Sequence, residues 1–166
     1  MPRRSYPFCA TMAGMESGEF TFQEVLPLRD GELELRLVDR RHGDTVRGTA
    51  PSYYFEMRVA DANAGRIDLR VGETTLLTMY SGQIGYFVAP TFRGRHFAER
   101  ACRLLLPLAK AHGLMTLWIT CNPSNIPSRR TCERLGATLV EIVEVPRDSD
   151  LYLHGEREKC RYRLEL

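Results

Sequence analysis

Two arginines and a glycine stand where an apolar strand is expected to pass into a helix. The stretch Arg93-Gly94-Arg95-His96 follows the apolar run "IGYFVAP" and precedes a helical pattern that begins near Phe97. A helix N-terminus offers free backbone N–H groups and the positive end of the helix dipole, and arginine adds bidentate donors. The stretch therefore predicts a phosphate-binding turn. The alternative is a surface turn with solvated arginines, because short glycine motifs also occur by chance.

A second segment, "CNPSNIPSRRTCERLGA" (residues 121–137), lies further along the chain. Together the two segments resemble the GNAT superfamily of CoA-dependent N-acetyltransferases. In that family the phosphate-binding turn reads R/Q-x-x-G-x-G/A, and a later N-P-x-N-x-x-A/S stretch runs into a helix. The resemblance covers residues 82–145, and the residues that carry it are Arg93, Gly94, Arg95, His96, Phe97, Ala98, Asn122, Pro123, Asn125, Ser128, Glu133, Leu135 and Gly136.

The resemblance implies acetyl-CoA as a co-substrate and no metal. Its pantetheine arm would pair with the backbone of the strand before the turn, and Asn125 and Ser128 would contact the same arm. The pyrophosphate would sit on the turn, and Arg129 or Arg130 would reach the outer phosphates. The residues so assigned to cofactor binding are Phe87, Val88, Ala89, Arg93, Gly94, Arg95, His96, Phe97, Ala98, Asn125 and Ser128.

Two positions depart from the family pattern. His96 replaces the first glycine of the turn, and it can serve if its φ is negative and its side chain points outward; otherwise its side chain would crowd the pyrophosphate. Cys132 stands where many members carry a tyrosine that protonates the departing thiolate. A thiol can act as a general acid, but a small buried residue that packs the helix is the alternative. In that case water or Tyr152 would supply the proton.

The reaction implied is direct transfer of an acetyl group to an amine, without a nucleophilic side chain. A proton must leave the acceptor ammonium, and Glu56 and Tyr86 are the candidates to accept it. A backbone N–H near Val88 would stabilise the oxyanion. An acyl-CoA-binding regulator or inactive relative without turnover is the alternative function. A nucleotide-binding module is a third, disfavoured because no Walker-type lysine accompanies the turn.

The elements that must position these residues follow from periodicity. Period-2 alternation or short apolar runs predict strands, and apolar residues at helical spacing predict helices. The resulting order is typical of an α/β protein. The resemblance specifies a GNAT fold: a mixed central sheet of about six to seven strands, flanked by helices, with a splayed pair of parallel strands. Predicted strands cover residues 33–39, 52–60, 66–72, 84–90, 114–121, 137–146 and 158–166, and predicted helices cover residues 96–112 and the later part of 122–136.

Composition limits the classes of function. The chain has 166 residues, 43% hydrophobic and 27% charged, with a net charge of +2. This balance favours one domain at residues 21–166 after a flexible leader at 1–20, and no nucleic-acid or membrane partner. Five dispersed cysteines favour a cytoplasmic, reducing location, and no His or Cys spacing suggests a metal.

The acceptor remains open at this level. The loop at residues 40–51 and the stretch at 146–157 are expected to flank it, and both carry charges of either sign. A small-molecule amine and a peptide amine are equally compatible. A homodimer is possible for this fold, but no sequence feature specifies one.

Overall fold

A computed structural model describes residues 20–44 and 47–166. The leader predicted at residues 1–20 lies outside this range, apart from Phe20. The described residues form eight strands in two sheets. The first sheet has the order β1-β2-β3-β4-β5 and the second the order β6-β8-β7. The strands are β1 (Leu28–Asp30), β2 (Leu33–Arg41), β3 (Ser52–Val59), β4 (Ala62–Arg70), β5 (Ile84–Val88), β6 (Thr116–Cys121), β7 (Thr138–Glu144) and β8 (Glu158–Glu165).

Side-chain alternation explains the first sheet. In β3 the side chains of Tyr53, Phe55 and Met57 are buried, whereas Tyr54 and Glu56 between them are partly exposed. Period-2 burial of this kind gives one face to the core and the other to solvent. The helix α1 (Phe97–Ala111) contacts β1, β2, β4 and β5 and covers the buried face.

The expectation of a single mixed sheet is wrong for this chain. Every ladder among the described strands is antiparallel, and no ladder joins β5 to β6. The two strands are linked at Gln83, just before β5. Its N–H donates to the Trp118 carbonyl at 2.7 Å, and its side-chain oxygen accepts from the Trp118 N–H at 2.7 Å. The side chain and backbone of this fully buried glutamine therefore join β5 to β6 at one point, in place of a continuous ladder between the two strands.

The apolar run of β5 is typical of a strand buried on both faces, but the structure differs from this pattern. Only Ile84 of this strand is buried, and the side chain of Phe87 is 45% exposed. Because none of the described strands pairs with the free edge of β5, this edge borders a cleft instead of a sheet interior.

The helices agree with the predicted spans to within a few residues. Helix α1 continues through Pro107, and α2 (Ile126–Leu135) ends at Gly136, whose φ of +86° terminates it. Four short elements had no clear sequence signal. They are β1, a π-helix at Leu77–Ser81, a 3₁₀-helix at Pro90–Phe92 and α3 (Asp150–Leu153).

Within the part of the chain that the structure describes, no helix combines the length and the apolar character needed to span a membrane.

Candidate functional site

The turn before α1 takes a backbone conformation suited to glycine. Gly94 has φ +79° and His96 has φ +57°, in the left-handed region. The condition of a negative φ, under which His96 could replace the glycine, is therefore not met. Histidine is one of the few non-glycine residues enriched in this region, so the turn keeps the shape that glycine would give it. The imidazole is half exposed, and its Nδ1 lies 3.9 Å from Glu99 Oε2.

The turn also presents unused backbone donors. The hydrogen bonds of the described residues include none that uses the N–H groups of residues 94–99. The first helical donor with a partner is the Arg100 N–H, which bonds to the His96 carbonyl at 3.0 Å. A row of free N–H groups at a helix N-terminus is an anion-binding arrangement.

A groove of about 640 Å³ runs from this turn to α2, and we call it the turn groove. Arg93, Arg130 and Arg134 line it, and no acidic residue does. The Arg95 guanidinium lies 3.4 Å from Glu32 and outside this lining. The full lining is Tyr86, Phe87, Val88, Phe92, Arg93, Gly94, His96, Phe97, Ala98, Asn125, Pro127, Ser128, Arg130, Thr131 and Arg134.

Arg129 and Arg130 differ in environment although they are adjacent. Arg129 donates to the Tyr162 hydroxyl at 3.3 Å and is absent from the groove lining, whereas Arg130 is part of it. Of the two arginines offered for the outer phosphates, only Arg130 is in position. Arg134, which sequence reasoning missed, lies one helical turn further on and faces the same groove.

The end of β5 offers fewer backbone groups than expected. The Val88 carbonyl accepts from Arg93 Nε at 3.1 Å, and the Ala89 N–H donates to the Ala64 carbonyl at 2.9 Å. Ala89 is absent from the groove lining. Backbone groups alternate in direction along a strand, so those of Phe87 face β4 like the Ala89 N–H. Pairing with a ligand at the free edge is therefore left to Tyr86 and to the Val88 N–H.

A wider cavity of about 770 Å³ borders the first half of β5, and we call it the wide cavity. It is walled by the loop after β2, the π-helix, the end of β6 and the segment that contains α3. The two stretches that we expected to flank an acceptor therefore line one cavity. Its lining is Arg41, His42, Asp44, Arg47, Gly48, Thr49, Ala50, Ser52, Tyr54, Arg70, Leu76, Leu77, Tyr80, Ser81, Ile84, Gly85, Tyr86, Thr120, Cys121, Asn122, Asn125, Ser128, Leu151, Glu156 and Lys159.

Charges in the wide cavity occur as close pairs. Lys159 Nζ lies 2.9 Å from Glu156 Oε2 and donates to Asn122 Oδ1 at 3.0 Å. The first contact is an ion pair without hydrogen-bond geometry, since Glu156 Oε2 is buried with no hydrogen-bond donor. Arg70 lies 2.9 Å from Asp68. The pairs leave little net charge on the cavity wall.

The two cavities meet at three residues, Tyr86, Asn125 and Ser128, which line both. The Tyr86 hydroxyl donates to Ser128 Oγ at 3.0 Å, and the Ser128 N–H donates to Asn125 Oδ1 at 3.2 Å. Burial raises the pKa of Tyr86 above its usual range. Tyr86 is therefore a neutral donor at physiological pH, and the structure disfavours its predicted use as a base.

The other two predicted catalytic residues lie outside both cavities. Cys132 is fully buried on the inner face of α2, against the Cys121 thiol, and contact with Cys121 together with burial raises its pKa. Glu56 on β3 accepts a hydrogen bond from Asn63 at 2.5 Å and lies near Arg58. Neither side chain lines the turn groove or the wide cavity.

Sequence reasoning missed Glu156, Lys159 and Cys121 as cavity residues. Alternation along residues 158–166 predicted the strand but not which of its side chains would line a cavity. Glu156 lies in the irregular segment before the strand. Burial of a lysine is uncommon, yet Lys159 is 8% exposed because Glu156 and Asn122 pair with it. In the part of the chain described, no three His, Cys, Asp or Glu side chains are arranged to hold a metal ion.

A family model described as an acetyltransferase (GNAT) domain matches residues 12–138 of the chain. No curated protein matches this chain in sequence. Solved structures show the same fold at low identity. A ribosomal L7/L12 alpha-N-protein acetyltransferase, RimL, with coenzyme A is 15% identical with a TM-score of 0.62, over 85% of this chain and 98% of that one.

Two further structures cover a smaller share of their own length. The microcin C7 self-immunity acetyltransferase MccE, solved with acetyl-CoA and AMP, is 16% identical with a TM-score of 0.55, over 69% of this chain and 61% of that one. A GNAT-family acetyltransferase from Bacillus anthracis is 20% identical with a TM-score of 0.51, over 68% and 65%. The present chain thus spans less than two thirds of these two proteins.

Proposed function

The chain belongs to the GNAT acetyltransferase family, and we propose from this premise that it transfers the acetyl group of acetyl-CoA directly to an amine. One observation carries the proposal. The turn groove and the wide cavity meet at Tyr86, Asn125 and Ser128, so a thioester held in one faces an amine held in the other. Holding two reactants in this way removes most of the entropic cost of their encounter.

The residues of the turn groove fit acetyl-CoA as the co-substrate. Free N–H groups at residues 94–99 suit a pyrophosphate, and Arg93, Arg130 and Arg134 add charge without an opposing carboxylate. The groove and the wide cavity border β5, and we infer that the pantetheine arm lies along its free edge, as in a splayed strand pair. RimL and MccE were solved with coenzyme A and acetyl-CoA, respectively.

Proton movements can be assigned to groups at the junction. Tyr86 donates to Ser128 Oγ, which leaves the Ser128 O–H free to donate to the departing thiolate. Glu156 is a carboxylate in the wide cavity and replaces Glu56 as the group that takes the proton from the ammonium, directly or through water. Asn125 caps α2 and fixes Ser128 at the junction.

The acceptor is an amine of a small molecule or a peptide. The close charge pairs of the wide cavity favour a polar acceptor of low net charge over a polyamine or a polyanion. A cytoplasmic location is part of the proposal, because Cys102, Cys121, Cys132 and Cys160 are free thiols that suit a reducing compartment. A homodimer stays a prediction.

Thermal unfolding with acetyl-CoA, CoA and dephospho-CoA, against ATP, tests the co-substrate. A ligand at about 100 times its dissociation constant adds roughly 2.7 kcal/mol, which raises Tm by several degrees in a domain of this size. Arg134→Ala should weaken acetyl-CoA binding by about tenfold, the loss expected for one charged hydrogen bond. Arg36→Ala is the matched control, since Arg36 lies on β2 and lines neither cavity.

A thiol-release assay over a panel of amines then tests turnover. A Tm increase with acetyl-CoA but no thiol release with any amine would favour the regulatory alternative. No Tm increase at millimolar acetyl-CoA, with a normal unfolding transition, would overturn the proposal.

A further inference from the structure

A cluster of three thiols lies at the end of β6. Cys121 ends this strand and lines the wide cavity, where it is 6% exposed. Cys160 is its direct partner across the β6–β8 ladder, and Cys132 reaches the same sulfur from α2. All three are free and otherwise buried. Neither the fold nor the proposed acetyl transfer needs a thiol at the cavity wall.

The register permits a bond between two of these residues. Directly opposed residues in an antiparallel pair have Cα atoms about 4.5–5.5 Å apart. Disulfides form at Cα separations of about 4.4–6.8 Å. Cys121 and Cys160 are therefore placed for a cross-strand disulfide without a backbone rearrangement.

The surroundings of Cys121 favour its thiolate. A hydrogen bond from Cys132 lowers the pKa of Cys121, and the nearby charges of Arg129 and Lys159 act in the same direction, against the effect of burial. In contrast, burial raises the pKa of Cys102 to about 12. Because the thiolate is the nucleophile in thiol–disulfide exchange, Cys121 is the reactive member of the cluster.

We propose that Cys121 is a thiol-modification site in the wall of the wide cavity, that it takes a low-molecular-weight disulfide, and that Cys160 resolves the adduct. In the first step the Cys121 thiolate attacks one sulfur of the disulfide RS–SR, forms Cys121–S–SR and releases RS⁻. In the second step the Cys160 thiol loses its proton to water, attacks the Cys121 sulfur and expels the second RS⁻. Two protein thiols are oxidised and one disulfide is reduced.

The adduct has a functional consequence. Its R group would occupy part of the wide cavity, which Cys121 lines together with Tyr86 and Lys159. The mixed disulfide therefore blocks the acceptor side until Cys160 or a reducing agent displaces the R group. This inference goes beyond the proposed acetyl transfer and does not require it, because the exchange consumes no acetyl-CoA.

The test uses oxidised glutathione as the probe, with intact-mass and peptide mass spectrometry as the readout. A Cys9→Ser background removes the fifth cysteine, which lies outside the described residues. We expect the background protein to acquire a Cys121–Cys160 disulfide, and Cys160→Ala to accumulate one glutathione on Cys121. Cys121→Ala should acquire neither, while Cys102→Ala should behave like the background protein.

Peptide mapping of the background protein keeps the test decisive if a variant fails to fold. Glutathione or a disulfide found at Cys102 or Cys132 in place of Cys121 would overturn the assignment of the reactive thiol. A Cys121–Cys132 disulfide would overturn the role of Cys160. An unmodified protein after incubation at mildly alkaline pH would overturn the proposal as a whole, whatever the outcome of the acetyl-CoA experiments.

Discussion

The Tyr86 hydroxyl donates a hydrogen bond to Ser128 Oγ at 3.0 Å and so joins β5 to α2 where the two cavities meet. The bond also fixes which hydroxyl donates and which accepts. Ser128 accepts from Tyr86, and its own O–H is left to donate into the junction. The two hydroxyls therefore form a short hydrogen-bonded relay, in which Ser128 is the member that faces the junction of the two cavities.

Ser128→Ala should lower kcat by about 100-fold, at the lower end of what a general acid contributes. Loss of the hydroxyl leaves the backbone N–H that bonds to Asn125, so KM for acetyl-CoA should change little. Steady-state thiol-release kinetics measure both constants. Equal kcat in variant and wild type would remove Ser128 from the proton path.

Tyr86→Phe is the companion variant, because Tyr86 is the hydroxyl that donates to Ser128. It should lower kcat by less than about tenfold, because Ser128 retains its own proton. A larger loss than that of Ser128→Ala would show that Tyr86 itself is the donor.

His96→Gly should leave acetyl-CoA affinity equal or slightly improved. Glycine accepts the positive φ of this position, and it removes an imidazole from the groove lining. The free energy of unfolding should change by less than about 1 kcal/mol, since relief of backbone strain offsets the entropy of the unfolded glycine.

His96→Val is the contrasting variant, because a β-branched residue is strained at positive φ. We expect a clear loss of both stability and affinity, measured by urea unfolding and isothermal titration calorimetry. Binding that weakens with glycine but survives with valine would mean that the imidazole, and not the backbone, holds the ligand.

Glu156→Gln should lower kcat/KM for the acceptor by about 100-fold and leave KM for acetyl-CoA unchanged, as expected for loss of a base in the wide cavity. Glu56→Gln makes the same chemical change at a residue that lines neither cavity. It should retain the wild-type rate. The reverse result would return Glu56 to the catalytic role that the sequence suggested.

Stability should fall below about pH 6.5, in part through His112. Burial lowers the pKa of His112 below its ordinary value of 6.5. The His112 Nε2 lies 2.7 Å from the Tyr53 hydroxyl, and its ring stacks on Phe20. The neutral form belongs to the folded state. As pH falls below 6.5 the unfolded chain binds a proton first, so this contribution is present above that pH and lost below it.

Urea unfolding of wild type and His112→Gln across this pH range measures the effect. Glutamine keeps a hydrogen-bonding group but does not titrate, so the difference in stability between the two proteins should shrink as pH falls. A constant difference would show that His112 does not contribute to the acid sensitivity.

The sequence specified the local elements because their signals lie within short windows. Helical spacing after the turn predicted α1, and the alternation in residues 33–39 predicted β2, since the pattern of burial repeats with the period of the backbone. The turn from Arg93 to Ala98 and the segment that contains Asn125 were recognised from short motifs, Asn125 as a ligand contact and not as the helix cap that it forms. Their chemistry depends on free N–H groups and neighbours one turn away, which the chain order fixes.

The tertiary structure decided how those elements share the site. Arg95 pairs with Glu32, and Arg134 takes a place in the groove that sequence order did not suggest. Gln83 replaces a ladder between β5 and β6 and leaves the single mixed sheet unformed. These outcomes depend on contacts between residues distant in the chain, whose partners periodicity cannot specify.

Tertiary structure also decides which thiols and which carboxylates line a cavity. By sequence, Cys121 and Cys132 are similar small residues and Glu56 and Glu156 similar acids. Packing buries Cys132 and places Cys121 and Glu156 at a cavity wall. The sequence determined which chemical groups the chain carries and the helix or strand that bears most of them. Only the folded chain decided which of those groups face a common space, because burial and charge pairing are set by all neighbours at once.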